Sequence, residues 1–207
     1  MNANLKYASS ELRDPVQAVA EFASMIGHED IETILFFCSP DYDLEILGSE
    51  LKKTFSCTLI GCTSSGQIGL EGFQHSGMLG LGLGRDFRAT AFMIHPLVEY
   101  SAVIADMAEK IRFDSEARPN INRFGLLLVD GLSMAEERLV ANLYQQIGNV
   151  PIIGGSAGDD LRFEQSFIYD GHGKFISDAA VFAVIETRSP LTTFKIQHFI
   201  PSDVELV

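Results

Sequence analysis

Residues 124–161, FGLLLVDGLSMAEERLVANLYQQIGNVPIIGGSAGDDL, carry the pattern that decides the fold. FGLLLVDG (124–131) is a continuous apolar run, the mark of a strand covered on both faces. Ser133 and Glu136 have the spacing of a capping box, which predicts a helix start there. Leu139, Val140, Leu143 and Ile147 form its apolar stripe, and Gly148 stops it. VPIIGGSAGDDL (150–161) is a second apolar run that ends in a glycine-rich loop. The unit therefore reads strand, helix, strand, glycine loop.

Working outward, the same unit occurs earlier in the chain. ETILFFCS (32–39) reads as a buried strand ended by Ser39-Pro40, and 42–55 as a helix with Leu44, Leu47, Leu51 and Phe55 on one face. CTLIGCTSSGQIG (57–69) is the matching strand and loop, and CTLIGCTSSGQI aligns with VPIIGGSAGDDL. GMLGLGLGR aligns with AAVFAVIET, and RATAFMI with LTTFKIQ, so 77–84, 88–96, 179–187 and 192–201 read as further strands. QSFIYDGHGKFI (165–176) has the turn residues of a hairpin. Two more helices are expected. One spans 15–27, with Pro15 in its first turn and Val16, Val19, Ala20, Ala23 and Ile26 as its stripe; the other spans 101–112. FDSEARPNINR (113–123) reads as a polar connection.

The repeats span about 31–96 and 124–201, a period of about 90 residues, too long for a solenoid. Consecutive strands without intervening helices argue for mixed sheets. The expected fold is α+β: one domain over 1–207, an internally duplicated mixed-sheet sandwich with helices on the outer faces. The two glycine loops should meet near the pseudo-twofold axis.

Composition narrows the function. The 207 residues carry 28 Asp+Glu against 15 Lys+Arg, a net charge of −13. Nucleic-acid binding needs clustered cations to neutralise phosphates, and anionic membrane surfaces need the same, so neither partner is expected. MNANLKYASSELRDPVQ lacks a basic region followed by an apolar one, so it is no secretory signal. The longest clean apolar run, AAVFAVI (179–185), is far short of the roughly 20 residues that span a bilayer. Three cysteines, Cys38, Cys57 and Cys62, give no disulfide framework and suit a reducing cytoplasm.

The loops hold the candidate chemistry. Gly61, Cys62, Thr63, Ser64, Ser65 and Gly66 offer tight turns and small polar groups, as do Gly154, Gly155, Ser156 and Gly158, with Asp159 and Asp160 adding charge. Such loops either turn the chain sharply where backbones pack or present N–H groups to an anion. Gln67 stands where a Walker A loop requires Lys. Gly154 to Gly158 matches the G-x-S-x-G nucleophile elbow, with Asp178 and His198 following in hydrolase order. The elbow needs a helix after it, and DDLRFEQSFIYDG shows no helical stripe. Cys62 is a second nucleophile candidate.

Strand ILFFCSP, strand-loop LIGCTSSGQI, strand LLLVDGLS, and PIIGGSAGDD followed by FIYDG resemble the FIST N-terminal domain over roughly residues 31–200. That resemblance implies an intracellular sensory domain. It would bind a small ligand, with amino acids proposed, and report to a sensor histidine kinase or a cyclic-di-GMP enzyme, as a possible homodimer. It places ligand binding near the two loops, where Asp159 and Asp160 would hold an ammonium group or cap the loop. The family normally continues into a second, C-terminal FIST domain, whereas this chain stops at Val207. The layout is also similar to haem-based nitric oxide sensors, which implies haem as cofactor. A haem ligand wants an imidazole on an apolar wall. In TTFKIQHFIP, Phe194, Ile196, His198 and Ile200 share a face, so His198 is the first candidate for the iron and His95 the second. Cys62 thiolate is an alternative ligand, and Arg85, Arg88, Arg162 and Lys195 are candidates for the propionates.

Overall fold

The structure is a computed structural model that describes residues 5–27, 30–70, 72–148 and 150–194. Strand β1 (Leu5–Ser10) leads into helix α1 (Pro15–Ile26), which starts where Asp14 accepts the Gln17 N–H and Pro15 presets the first turn. Strand β2 (Ile31–Cys38) leads into α2 (Leu44–Thr54), capped by Asp43 through the N–H groups of Glu45 and Ile46. Then come β3 (Thr58–Thr63), a two-stranded ribbon of β4 (Gln67–Gly69) and β5 (Gly72–Gln74), and β6 (Met78–Gly84). The chain continues through β7 (Phe87–Ile94), α3 (Tyr100–Ala117), β8 (Asn122–Asp130), α4 (Glu136–Ile147) and β9 (Ile152–Ala157). The hairpin β10 (Ile168–Tyr169) and β11 (Phe175–Ile176) precedes β12 (Ala180–Thr187).

Two sheets hold most of these strands. The first has the order β1-β6-β2-β3-β10-β11 and the second β7-β12-β8-β9. In the first, β6 is antiparallel to β1 and β2, and β2 is parallel to β3. In the second, β12 is antiparallel to β7 and β8, and β8 is parallel to β9. One βαβα-strand-hairpin-strand unit thus occurs twice, as β1 to β6 and as β7 to β12.

Apolar faces pack in four layers, helix, sheet, sheet, helix. Phe22, Ile26, Leu47 and Leu51 cover one face of the first sheet with Ile34 and Phe36. Ile104, Ile111, Leu139 and Leu143 cover one face of the second with Leu127 and Phe182. Ile60, Cys62, Leu126, Leu128, Ile168 and Val181 fill the space between the sheets. Each sheet lets an aromatic ring lie flat on a glycine. A Cβ on Gly61 would stand 2.5 Å from the Phe36 ring, and one on Gly125 2.5 Å from Phe182.

The α+β class, the mixed sheets and the outer helices agree with the sequence reading. Several boundaries differ. The unit is phased one strand differently from 31–96 and 124–201, because β7 bonds to β12 along eight residue pairs and so opens the second unit. Its counterpart in the first unit is β1, which the sequence reading left unassigned. Helix α3 runs on through Phe113–Ala117, since nothing breaks it before Arg118, whose following Pro119 disfavours helical geometry. The buried stripe of α1 is Ala18, Val19, Phe22, Ala23 and Ile26, while Val16 is exposed. The expected capping box does not form. The Ser133 hydroxyl donates to the Asp130 carbonyl and accepts the Ala135 N–H, which holds Ser133 in a turn ahead of α4. Of the expected strand 192–201, Thr192–Phe194 are irregular and the remainder lies outside the described residues.

Candidate functional site

The two glycine loops do meet. The Gly158 N–H donates to the Thr63 carbonyl at 3.0 Å, and the Asp160 N–H donates to Ser65 Oγ at 3.1 Å. A Cβ on Gly158 would collide with Ser65, so only glycine allows the approach. Phe167 N–H donates to Thr63 Oγ1 and its carbonyl accepts the Thr63 N–H, which docks the second unit's chain on the end of β3. Gly61, Cys62 and Thr63 are buried inside this seam, and Ser64 and Gly66 are half-buried beside it. Asp159 caps the loop, accepting the N–H groups of Phe163, Glu164 and Gln165. Burial works to raise its pKa, but these backbone donors outweigh that and hold it below the ordinary carboxylate value. Its lone pairs are thus committed to the backbone, while Asp160 is exposed.

Gly154, Gly155 and Ser156 lie elsewhere, on the open edge of the second sheet. With Leu127, Val129, Val140, Ile152 and Glu136 they line a groove of about 350 Å³ between β9 and α4. The Ser156 hydroxyl donates to Glu136 at 2.8 Å. Ser156 therefore sits inside a strand, paired with a carboxylate, and not on a strand-to-helix elbow. Cys62 is enclosed as well. It is 2% exposed, and burial pushes its thiol up to about 12, so it stays protonated.

A second cavity, of about 440 Å³, was not legible in the sequence. It opens where the parallel strands β1 and β2 end, lined by Glu11, Arg13, Ser39, Asp41, Tyr42 and Ser76. Crevices at the carboxyl ends of parallel strands are the customary ligand positions in such sheets. Ser39 Oγ accepts the Asp41 N–H, and the Tyr42 hydroxyl donates to the Leu12 carbonyl, which fixes two walls to each other. Asp41 also pairs with Arg162 from the second unit's loop. Arg13 is exposed and makes no hydrogen bond or ion pair among the described residues. The only available signal was the position of Glu11–Arg13 and Ser39–Asp41 just after two strands, and β1 was unassigned.

The second unit fills the corresponding place. Cys38 pairs with Met78 and Val129 with Ala180, so Ser39 and Asp130 are equivalent. The longer Asp130 side chain accepts from Ser166 Oγ and from the N–H groups of Leu132 and Asp178.

Among the described residues, no histidine lines a pocket that could take haem. His95 is exposed, with Nδ1 3.1 Å from the Asp178 carbonyl, and neither cavity includes it. His198 and Lys195 lie outside the described residues. Arg85 pairs with Asp30, and Arg162 with Asp41. The described residues do not fit haem. Among them, no group of three His, Cys, Asp or Glu side chains could hold a metal ion.

A duplicated four-layer sandwich with a charged cavity at its strand ends has the architecture of a binding module. The family model of the FIST N domain matches residues 32–207, and the chain belongs to that family. FIST domains are sensory domains of signal transduction proteins. No curated protein matches the chain. Among the described residues no helix is long and apolar enough to cross a membrane.

Proposed function

We propose that this chain is a small-ligand-sensing input domain whose ligand site is the cavity at the ends of β1 and β2. The observation that carries the reading is its lining: Arg13, without an ion pair among the described residues, lines the same cavity as Glu11 and Asp41. A zwitterion such as an amino acid matches that pattern, with its carboxylate on Arg13 and its ammonium on the acidic wall. A ligand that engages Asp41 competes with Arg162. It thereby loosens the Asp41–Arg162 ion pair, which ties this cavity to the 158–167 loop of the other unit. Binding shifts a conformational population by differential affinity, which a histidine kinase or cyclic-di-GMP enzyme would read.

The test is a panel of amino acids in calorimetry and thermal melts, alongside the mass of any ligand retained on purification. Binding should weaken at least tenfold in Arg13→Ala, about 1.4 kcal/mol. Binding unaffected by Arg13→Ala removes the site assignment, and no binding across the panel removes the amino-acid class. Haem-based sensing of nitric oxide rests on His198. Its test is a Soret band near about 400 nm that is lost in His198→Ala.

A further inference from the structure

The ribbon β4–β5 is folded inside out. Its glutamines turn inward: Gln67 is 4% exposed, and the Oε1 atoms of Gln67 and Gln74 are buried without a hydrogen-bond partner among the described residues. Its apolar residues turn outward, with Ile68, Leu70 and Phe73 at 83%, 78% and 57% exposure. Ile68 and Phe73 are a cross-strand pair, so they form one continuous face. A two-stranded ribbon is marginal without a third strand or a packed face. An apolar face of this kind on an acidic protein marks a contact surface.

The internal duplication shows what such a hairpin does. In the second unit the equivalent hairpin, β10–β11, adds to the edge of β3, with Ile168 opposite Cys62. Tyr169 and Phe175 pack on Phe36, which closes the space between β3 and α2. In the first unit β4–β5 pairs with no other strand among the described residues, and among them nothing pairs with the outer edge of β9, the matching edge. Beside β9 lies the apolar groove of Val140, Ile152 and Ile153, with Tyr144 exposed one turn further along α4. Contacts within its own copy hold the ribbon away from that groove: Gln67 donates to Ser64, Phe73 lies on Gly66, and Gly69 abuts the Tyr7 hydroxyl.

We propose that the Ile68/Phe73 face of one copy docks in the β9–α4 groove of a second copy, and the reverse, giving a twofold dimer. The chain carries both members of the missing contact, which is the condition for an isologous interface. Two copies at −13 each repel, so salt should strengthen the association. The dimer is independent of the ligand cavity, which lies at the ends of β1 and β2.

Sedimentation of the full chain from about 1 to 200 µM, at low and moderate salt, reads the dimer. Phe73→Asp, in the ribbon, and Ile153→Asp, on β9, should each shift the midpoint at least tenfold toward monomer. Their far-ultraviolet spectra and melting should be retained. The decisive experiment mixes the two variants. One supplies an intact groove and the other an intact ribbon, so the mixture should recover one of the two contacts and associate more than either alone. A second readout is an Ile68→Cys/Ile153→Cys chain oxidised in dilute solution, which should link between copies. A monomer at every concentration overturns the proposal, as does a dimer indifferent to both variants. A mixture no better than its parts, or a link formed within one copy, overturns it too.

Discussion

Among the described residues, the first unit closes the groove beside its third strand and the second leaves it open; at the strand ends the pattern is reversed. Leu47 and Leu139 are both fully buried, as are Leu51 and Leu143, which makes α2 and α4 equivalent at an offset of 92 residues. That offset puts Val140 where Gly48 stands. A Cβ on Gly48 would collide with the Gly173 carbonyl, so the β10–β11 turn can lie on α2 only because Gly48 has none. At the strand ends Asp130 fills the space that the shorter Ser39 leaves as a cavity. Duplication supplied one scaffold, and two side-chain differences decided which concavity each copy kept.

The comparison can be broken most sharply by chemical labelling. Gly155 aligns with Cys62, and a Cβ at Gly155 meets nothing within 4 Å. In dilute solution, with Cys57→Ser as background, Gly155→Cys should react with a thiol reagent at pH 8 as an exposed cysteine does. Cys62, buried and held protonated, should be at least about 10³-fold slower, because it reacts only on opening. Comparable rates would mean that β3 is no better covered than β9. Next, Leu47→Ala and Leu139→Ala should each cost about 2–5 kcal/mol in urea unfolding. A near-zero loss at one would end the equivalence of the two helices.

Gly48→Val imports the sister residue. It should cost about 1–3 kcal/mol by expelling the hairpin turn, even though valine is the better helix former. A stabilised Gly48→Val would show that the turn does not need that contact. Asp159→Asn should cost about 1–3 kcal/mol, because three backbone donors lose a charged acceptor. Since the folded pKa of Asp159 is depressed, its stabilisation is complete above about pH 4, the unfolded value. It is lost as the pH falls through the folded value. Acid unfolding of Asp159→Asn should therefore be shallower than that of the parent below pH 4. The smallest effect is expected for Arg162→Ala, whose partner Asp41 is more than half exposed: solvent screens the pair, and urea unfolding should not separate the variant from the parent.

Much of the scaffold was legible because it rests on short-range pattern. The apolar runs at 124–131 and 179–187, the leucine stripe of α2 and the turn residues at 170–174 fix elements whose burial follows from their own periodicity. The meeting of the two glycine loops was legible as well, since a duplicated unit places equivalent loops about one axis. The ligand cavity was not. Glu11, Arg13 and Asp41 are ordinary exposed charges until β1 is known to lie beside β6 and its end beside that of β2. Cys62 looked like a loop-mouth thiol and proved to be core, because β10 covers β3 from another part of the chain. Gly154–Ser156 looked like a phosphate-type loop and is an edge strand, because nothing in its neighbourhood tells a turn from an extended run of small residues.

The sequence by itself determined the class, the duplication and the family, since hydrophobic periodicity and repeated motifs are properties of contiguous residues. Tertiary structure alone decided which strand opens each unit, which groove is filled, and where charges from distant segments converge. Those outcomes depend on residues far apart in the chain, such as Gly48 with Gly173 and Asp41 with Arg162. Their contact energies appear only once the sheets have been assembled.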